Sequence, residues 1–352
     1  MRSIGRSRTA IGIDFGTKSI KAAQLSISGR RRQIVALSML PRIKVGEQID
    51  CEEILKVRRV LRRQGFCGND VVLAAPEEGL LRGAFEVPQQ VSGAPIVQIA
   101  RMELSRIHNV VPNSFEMVCW EPPFPSKSKS TMQTIAVGCP HDVANVFLDL
   151  FEESGFNVSA LDLRSAAAAR ACISLTVPPP SLTSILDLGW NSTKLLLVCK
   201  GTVIYERFFE NKCMAKLNVK LSEMFGITEE SADQIVSTIG FVTDSEASEL
   251  DQESAETIRK ILGKHFDIIL EDLEASFDYV NYQYARERIK RLLLIGDGAK
   301  ISGLSQYIQE MLGIEVISAA PSALVESSPQ ILTKVGHPAM TVAVGLAMFA
   351  GG

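Results

Sequence analysis

The stretch Ile11-Gly12-Ile13-Asp14-Phe15-Gly16-Thr17-Lys18 decides the fold, because the chain returns to it as Ile185-Leu186-Asp187-Leu188-Gly189-Trp190-Asn191-Ser192-Thr193-Lys194. In each copy an apolar run ends in Asp-x-Gly and hydroxyl or amide residues follow. A second strand-like run then begins, Ser19 to Ile27 in one copy and Leu195 to Tyr205 in the other. A Gly at such a turn lets backbone N–H groups approach phosphate oxygens, Ser and Thr add short donors, and a carboxylate at the strand end can hold a hydrated divalent cation. A single Asp-x-Gly turn closes many ordinary hairpins. Two copies point to a nucleotide cleft between related halves. A third glycine-rich element supports this: Leu292-Leu293-Leu294-Ile295 reads as a buried strand, and Gly296-Asp297-Gly298-Ala299-Lys300 turns from it into the helical run Leu304 to Leu312. Strand, glycine turn and helix form a place where backbone can lie flat against a base or ribose.

The 352 residues exceed one ordinary core and fit two domains or two lobes. A hydrophobic content of 46% with 22% charged residues describes a soluble globular chain, and the formal charge of -3 argues against a nucleic-acid partner. Arginines cluster at Arg2, Arg6 and Arg8, at Arg30, Arg31 and Arg32, and at Arg58, Arg59, Arg62 and Arg63. These read first as a solvated face and tail, and second as an anionic membrane or partner contact. No stretch approaches the roughly 20 apolar residues that span a bilayer, and the first residues lack a signal-peptide core, so a cytoplasmic location is expected. The 7 cysteines show no Cys-x-x-Cys spacing and the 4 histidines no His-x-x-x-His spacing. Reduced thiols and no histidine-held metal follow.

Outward from the first hairpin, Glu52 to Gln64 carries a helical apolar stripe opposite an Arg-rich face, Gly65 ends it, and Val71 to Ala75 is a short buried strand. Leu80 to Leu161 has the texture of a separate α+β unit: strand-like Leu81 to Val87, helical Ile96 to His108, strand-like Phe115 to Glu121 and Met132 to Gly138, and helical Val143 to Glu153. Pro122-Pro123-Phe124-Pro125 lies in a loop within it, ordinary or a recognition segment. The small-residue run Ser165 to Ser174 suits a closely packed helix, and Pro178-Pro179-Pro180 marks a hinge between halves. Beyond the second hairpin, Met214 to Phe225 and Glu229 to Ile239 read as helices, the latter with Thr228 as N-cap. A long helix runs from about Glu256 to Glu287, and Thr341 to Ala350 fits a small-residue helix closing against the first half.

Taken together, these elements resemble the actin-like ATPase superfamily, and within it the PilM family of type IV pilus assembly proteins and its relative FtsA. The motifs that carry the resemblance are Ile11 to Leu25, Phe151-Glu152-Glu153-Ser154-Gly155-Phe156 leading to Leu161-Asp162, Leu186-Asp187-Leu188-Gly189, Leu312-Gly313-Ile314-Glu315-Val316 and Ala343-Val344-Gly345-Leu346-Ala347. The fold so implied is an α/β, ribonuclease H-like, two-lobed one with an inserted α+β subdomain in the first lobe. The implied division gives 1–78, 159–180 and 331–352 to the first-lobe core and 79–158 to the insert. It gives 181–208 and 271–330 to the second-lobe core and 209–270 to a helical insertion.

By the same resemblance, Asp14 and Asp187 would hold Mg²⁺ through water. Gly16, Thr17, Lys18, Lys21, Gly189, Asn191, Ser192 and Thr193 would face the phosphates of ATP, and Gly296, Asp297, Gly298 and Ala299 the adenosine. The implied function is an ATP-binding scaffold, at most a slow ATPase, that docks the N-terminal cytoplasmic tail of an inner-membrane PilN-like protein and so associates with the membrane indirectly. Pilus assembly ATPases and further copies of the chain are other implied partners. Departures stand beside this: Trp190 follows a turn usually continued by a small residue, Asp297 stands where a third glycine is common, and Val236 replaces the lysine of an Ala-Glu-x-x-Lys stretch. They leave open a nucleotide-free interaction module, and, as a third reading, a small-molecule kinase of the same superfamily. Lys18 and Lys194 read either as solvent-exposed hairpin lysines or as phosphate contacts, Trp190 as an interlobe plug or a base-stacking ring, and Asp297 as a nucleotide neighbour or a helix cap.

Overall fold

A computed structural model describes residues 7–29, 31–88, 96–123, 131–178, 181–242, 252–284, 288–331 and 335–349. Arg2, Arg6, Arg30, Phe124, Pro125, Pro179, Pro180 and the expected helix ends Glu287 and Ala350, singled out above, lie outside these.

Both halves are built on one strand pattern. In the first, Arg31–Pro41, Ser19–Ser28 and Ile11–Phe15 form an antiparallel meander, and Asp70–Ala74 and Asn157–Asp162 continue it in parallel. In the second, Thr202–Phe209, Thr193–Cys199 and Ser181–Leu188 form the meander, and Arg288–Ile295 and Glu315–Ser318 extend it in parallel. The strand order is the same, and the short strands Ser7–Arg8 and Glu326–Ser327 attach only to the first sheet. Strands Ser181–Leu188 and Thr193–Cys199 are buried along their whole length, their polar residues Thr183, Ser184, Asp187 and Lys194 included.

The halves differ in what is inserted. Between its two parallel strands the first carries a three-stranded antiparallel sheet of Leu81–Pro88, Thr131–Pro140 and Phe115–Trp120 with helices Ile96–His108 and His141–Glu153. After its meander the second carries helices Met214–Phe225, Glu229–Ile239 and the 32-residue Gln252–Gln283. Capping explains sharp helix starts: Asp50 accepts from the Glu53 N–H ahead of Cys51–Arg63, and Thr228 from the Ser231 N–H ahead of Glu229–Ile239.

One hydrophobic cluster joins the halves below the cleft, with Val72, Ala74 and Ala167–Ala169 from the first packed on Ile185, Leu196, Leu293 and Ile295 from the second. The closing helix Thr341–Ala347 crosses helix Arg164–Ala171 so closely that a Cβ on Gly345 would lie 1.9 Å from the Ala167 carbonyl oxygen. Small residues there are a steric requirement.

Several expectations need correction. The run Leu195 to Tyr205 is two strands, because Lys200 and Gly201 both take positive φ (51° and 79°) and reverse the chain as a two-residue hairpin turn. Arg31 and Arg32 do stand on a solvated face, but as the exposed start of an 11-residue strand, with Arg31 paired to Glu326 at 2.6 Å. The long helix starts four residues earlier than its expected start at Glu256, at Gln252.

Candidate functional site

The two hairpins place matching residues at matching positions. In each, a lysine seven residues beyond the aspartate is its cross-strand neighbour: Asp14 faces Lys21, and Asp187 faces Lys194. Directly opposed side chains share one face of a sheet, so each copy sets a carboxylate and an ammonium side by side at the cleft. The turns match too. A Cβ on Gly16 would meet the Ser19 carbonyl oxygen at 2.9 Å, and one on Gly189 the Ser192 carbonyl oxygen at 2.7 Å. Both turns fold a carbonyl back over the glycine three residues earlier, and only glycine leaves room.

Across the cleft the charges of one half meet those of the other. Lys18 reaches Asp233 at 2.9 Å and Lys21 reaches Asp297 at 3.4 Å, both from the first half to the second. In the opposite direction Lys194 pairs with Glu77 at 2.9 Å and also with Glu206, within its own half, at 3.1 Å. Arg82 pairs with Glu77 and lies 3.7 Å from Glu206. Lys300 shares Asp233 at 3.1 Å.

Arg164, the first residue of helix Arg164–Ala171, lies among the acids. It donates to Asp14 and its Nε is 3.9 Å from Glu77. Asp187 and Asp297 also act on its charge. Burial alone would lower its pKa, but Asp14, then Asp187, Glu77 and Asp297 outweigh this and raise it. For Lys194 burial is likewise opposed, and overcome, by Glu77 and Glu206. Burial would raise Glu77, yet Lys194, Arg164 and Arg82 hold it below the usual 4.5. Asp233 is held low by Lys18 and Lys300 against burial. Asp187 goes the other way: its burial exceeds the help of Arg164 and Lys194, and its pKa is raised. His337, close enough for these charges to act on it, has its pKa lowered chiefly by burial and accepts from the Ala339 N–H through Nδ1.

The remaining expected site residues divide. Asp14, Gly16, Thr17, Lys18 and Lys21 gather on the first side of the cleft, and Asp187, Gly189, Gly296 and Asp297 on the second. Gly296, with φ +87°, turns so tightly beneath Asp187 that a Cβ would lie 2.5 Å from its Oδ1. Asn191 and Ser192 are exposed on their turn, and the Thr193 hydroxyl is used on the Lys212 carbonyl at 2.5 Å. Gly298 and Ala299 are buried, and a Cβ on Gly298 would strike Met214 Sδ at 2.6 Å, so this segment packs into its own half. Trp190 is 8% exposed and belongs to the second-half core, with the Lys18 ammonium 3.7 Å above its ring. Asp297 makes no capping bond, and Val236 is core. Neither Lys18 nor Lys194 is a free surface lysine.

These contacts also test the expected ions. The donor set around Asp14 and Asp187 already contains a fixed cation, Arg164, bonded to Asp14. The described residues hold no cluster of three or more His, Cys, Asp or Glu arranged as metal ligands. As arranged, the residues do not fit a hydrated Mg²⁺ between the two aspartates.

The doubled sheet with a glycine-turned hairpin at the head of each half defines an actin-like fold of the superfamily that includes nucleotide-binding proteins. Solved structures show the same fold: a PilM–PilN type IV pilus biogenesis complex (17% identity, 97% of this chain and 98% of that chain, TM-score 0.77), the ethanolamine utilization protein EutJ from Carboxydothermus hydrogenoformans (15%, 98% and 90%, 0.54), and MreB5 of Spiroplasma citri bound to ADP (15%, 97% and 96%, 0.53). The sequence model of the family described as type IV pilus assembly protein PilM matches residues 12–350, and the chain belongs to that family.

Sequence reasoning missed Glu77, Arg82, Arg164 and Glu206. For Lys194 a signal existed, since the Asp-to-Lys offset is the same in both copies.

Proposed function

We propose that the chain is a cytoplasmic scaffold of a type IV pilus or type II secretion-like assembly, docking the N-terminal tail of a PilN-like inner-membrane protein in the seam between the first sheet and the inserted sheet. Residues 79–158 are taken as the inserted unit. The observation that carries this is the seam itself. Asn157–Asp162 and Phe115–Trp120 are edge strands of their sheets, and helix His141–Glu153 packs beside the first of them. Trp120 packs with Ala75, Leu80 and Leu161 and donates its indole N–H to the Val203 carbonyl of the second half at 2.7 Å, while Val118 on the same face of its strand is 56% exposed and Val146 on the helix 63%. Edge strands offer main-chain groups to an extended peptide, and exposed apolar side chains beside them give it pockets. No helix among the described residues is long and apolar enough to cross a membrane, so a bitopic partner would supply the attachment.

Calorimetric titration with synthetic N-terminal tails of single-span pilus proteins tests the proposal. Saturable binding weakened at least tenfold by Val118→Asp supports it, and no binding of any such tail sinks it.

For the cleft, the nucleotide-free alternative has specific support in this arrangement: the candidate phosphate lysines Lys18, Lys21 and Lys194 are each engaged by an acid of the other half. ATP would have to take Lys18 and Lys21 from Asp233 and Asp297. Titration with ATP separates the readings: binding that is lost in Lys21→Met restores the ATP-binding scaffold, and no heat at any accessible concentration leaves the closed, ion-paired cleft.

A further inference from the structure

The ion pairs of the cleft are not equivalent. Most join one cation to one or two acids. Arg164 instead is bonded to Asp14 and lies 3.9 Å from Glu77, with 19% of its side chain exposed and Asp14 only 1%, and the charges of Asp187 and Asp297 in the other half also act on it. A guanidinium cannot lose its proton in a protein and has planar donors suited to carboxylates. A hydrated divalent ion would need the same carboxylates. The cross-strand lysines Lys21 and Lys194 point to the same conclusion from the sides: they too lie beside the aspartates, and both are committed to acids of the other half.

We infer that Arg164 is the resident cation of the cleft, standing where the family resemblance places a divalent ion, so that the chain neutralises Asp14 there without metal. Removing the guanidinium leaves Asp14 and Asp187 without their common counter-charge. That converts the position into an acidic site open to a divalent ion. This inference does not depend on the peptide-docking proposal.

Thermal melts of the wild-type chain and of Arg164→Ala in MgCl₂ and in EDTA, each with and without ADP, test it. The expected result is a wild-type melting temperature indifferent to the metal in both nucleotide conditions, and an Arg164→Ala melting temperature that rises by roughly 3 °C or more with Mg²⁺. A Mg²⁺-dependent rise in the wild type, or no metal response in the variant, overturns the inference. If Arg164→Ala folds in neither buffer, Mn²⁺ titration of the wild-type chain followed by electron paramagnetic resonance decides. A free-ion spectrum throughout supports the inference, and a bound signal abolished by Asp14→Asn defeats it.

Discussion

The first hairpin gives its aspartate an arginine from its own half, and the second does not. Asp14 and Asp187 occupy the same register position, each faces a lysine, and each precedes a glycine turn of the same shape. Yet Asp14 is bonded to Arg164, whereas Asp187 has its lysine drawn to Glu77 and Glu206 and is left with more burial than compensation. The same backbone device, copied, has one satisfied and one strained carboxylate. Duplication therefore fixes the architecture, and long-range partners fix the electrostatics.

The comparison breaks most violently two residues before each aspartate. In the first hairpin the position is Gly12, where a Cβ would lie 2.3 Å from Ala347 N and 2.4 Å from the Ala343 carbonyl oxygen of the closing helix. In the second it is Ile185, fully buried in the cluster that joins the halves. Gly12→Ala should cost about 3 kcal/mol, because backbone rather than a flexible side chain must yield. Ile185→Ala should cost about 2–5 kcal/mol by leaving a cavity. Urea unfolding of both variants checks this, and a silent Gly12→Ala would mean that the closing helix does not approach as described.

The aspartates themselves should give opposite signs. Asp14→Asn weakens the hold on Arg164 and should cost about 2 kcal/mol at neutral pH. Asp187→Asn should raise the melting temperature. Its folded pKa is raised, so the burial cost is absent below the ordinary aspartate value of 3.8, where folded and unfolded chains both bind the proton, and is fully present above the raised value. The gain should therefore be largest at neutral pH and shrink as the pH falls. Melts of both variants at pH 7 that move in the same direction would erase the distinction between the hairpins.

How much of this was readable in advance follows from distance along the chain. The hairpins, the insert and most helices carry their signals within a few residues, as apolar runs, glycine turns and caps such as Asp50 and Thr228. The Lys200-Gly201 turn escaped because lysine at positive φ is not an ordinary hairpin signal. The cleft's electrostatics were illegible for a stronger reason. Arg164 bonds to a residue 150 positions away and Lys21 to one 276 away, and no local pattern records such a pairing. Glu77 sits in a loop outside any helix or strand, with nothing in its neighbours to set it apart.

Glu77 tests whether the second hairpin depends on the first half at all. Its pKa is held low by Lys194, Arg164 and Arg82 against burial, so its contribution is fully present above the usual glutamate value of 4.5 and lost as the pH falls through the lower folded value. Glu77→Gln should cost about 1–2 kcal/mol at pH 7. In urea unfolding, the gap between wild type and variant should close in acid. A gap of unchanged size at low pH would assign the effect to packing instead of charge.

The smallest expected effect lies at the tip of the first hairpin, where Lys18 meets both Asp233 and the Trp190 ring. The lysine is 28% exposed and the aspartate 15%, so water screens the pair, and a cycle of Lys18→Met with Asp233→Asn should give a coupling of about 0.5–1 kcal/mol that declines with added salt. Asp233→Asn alone should cost more than Lys18→Met alone, because the aspartate also serves Lys300. A second cycle, Lys18→Met with Trp190→Leu, should give a coupling of about 0.5 kcal/mol that survives salt better, since a short-range contact with the ring is less screened than an ion pair. Two cycles with the same salt dependence would show that the lysine responds only to the general field of the second half, and that Trp190 stands beneath it as core and nothing more.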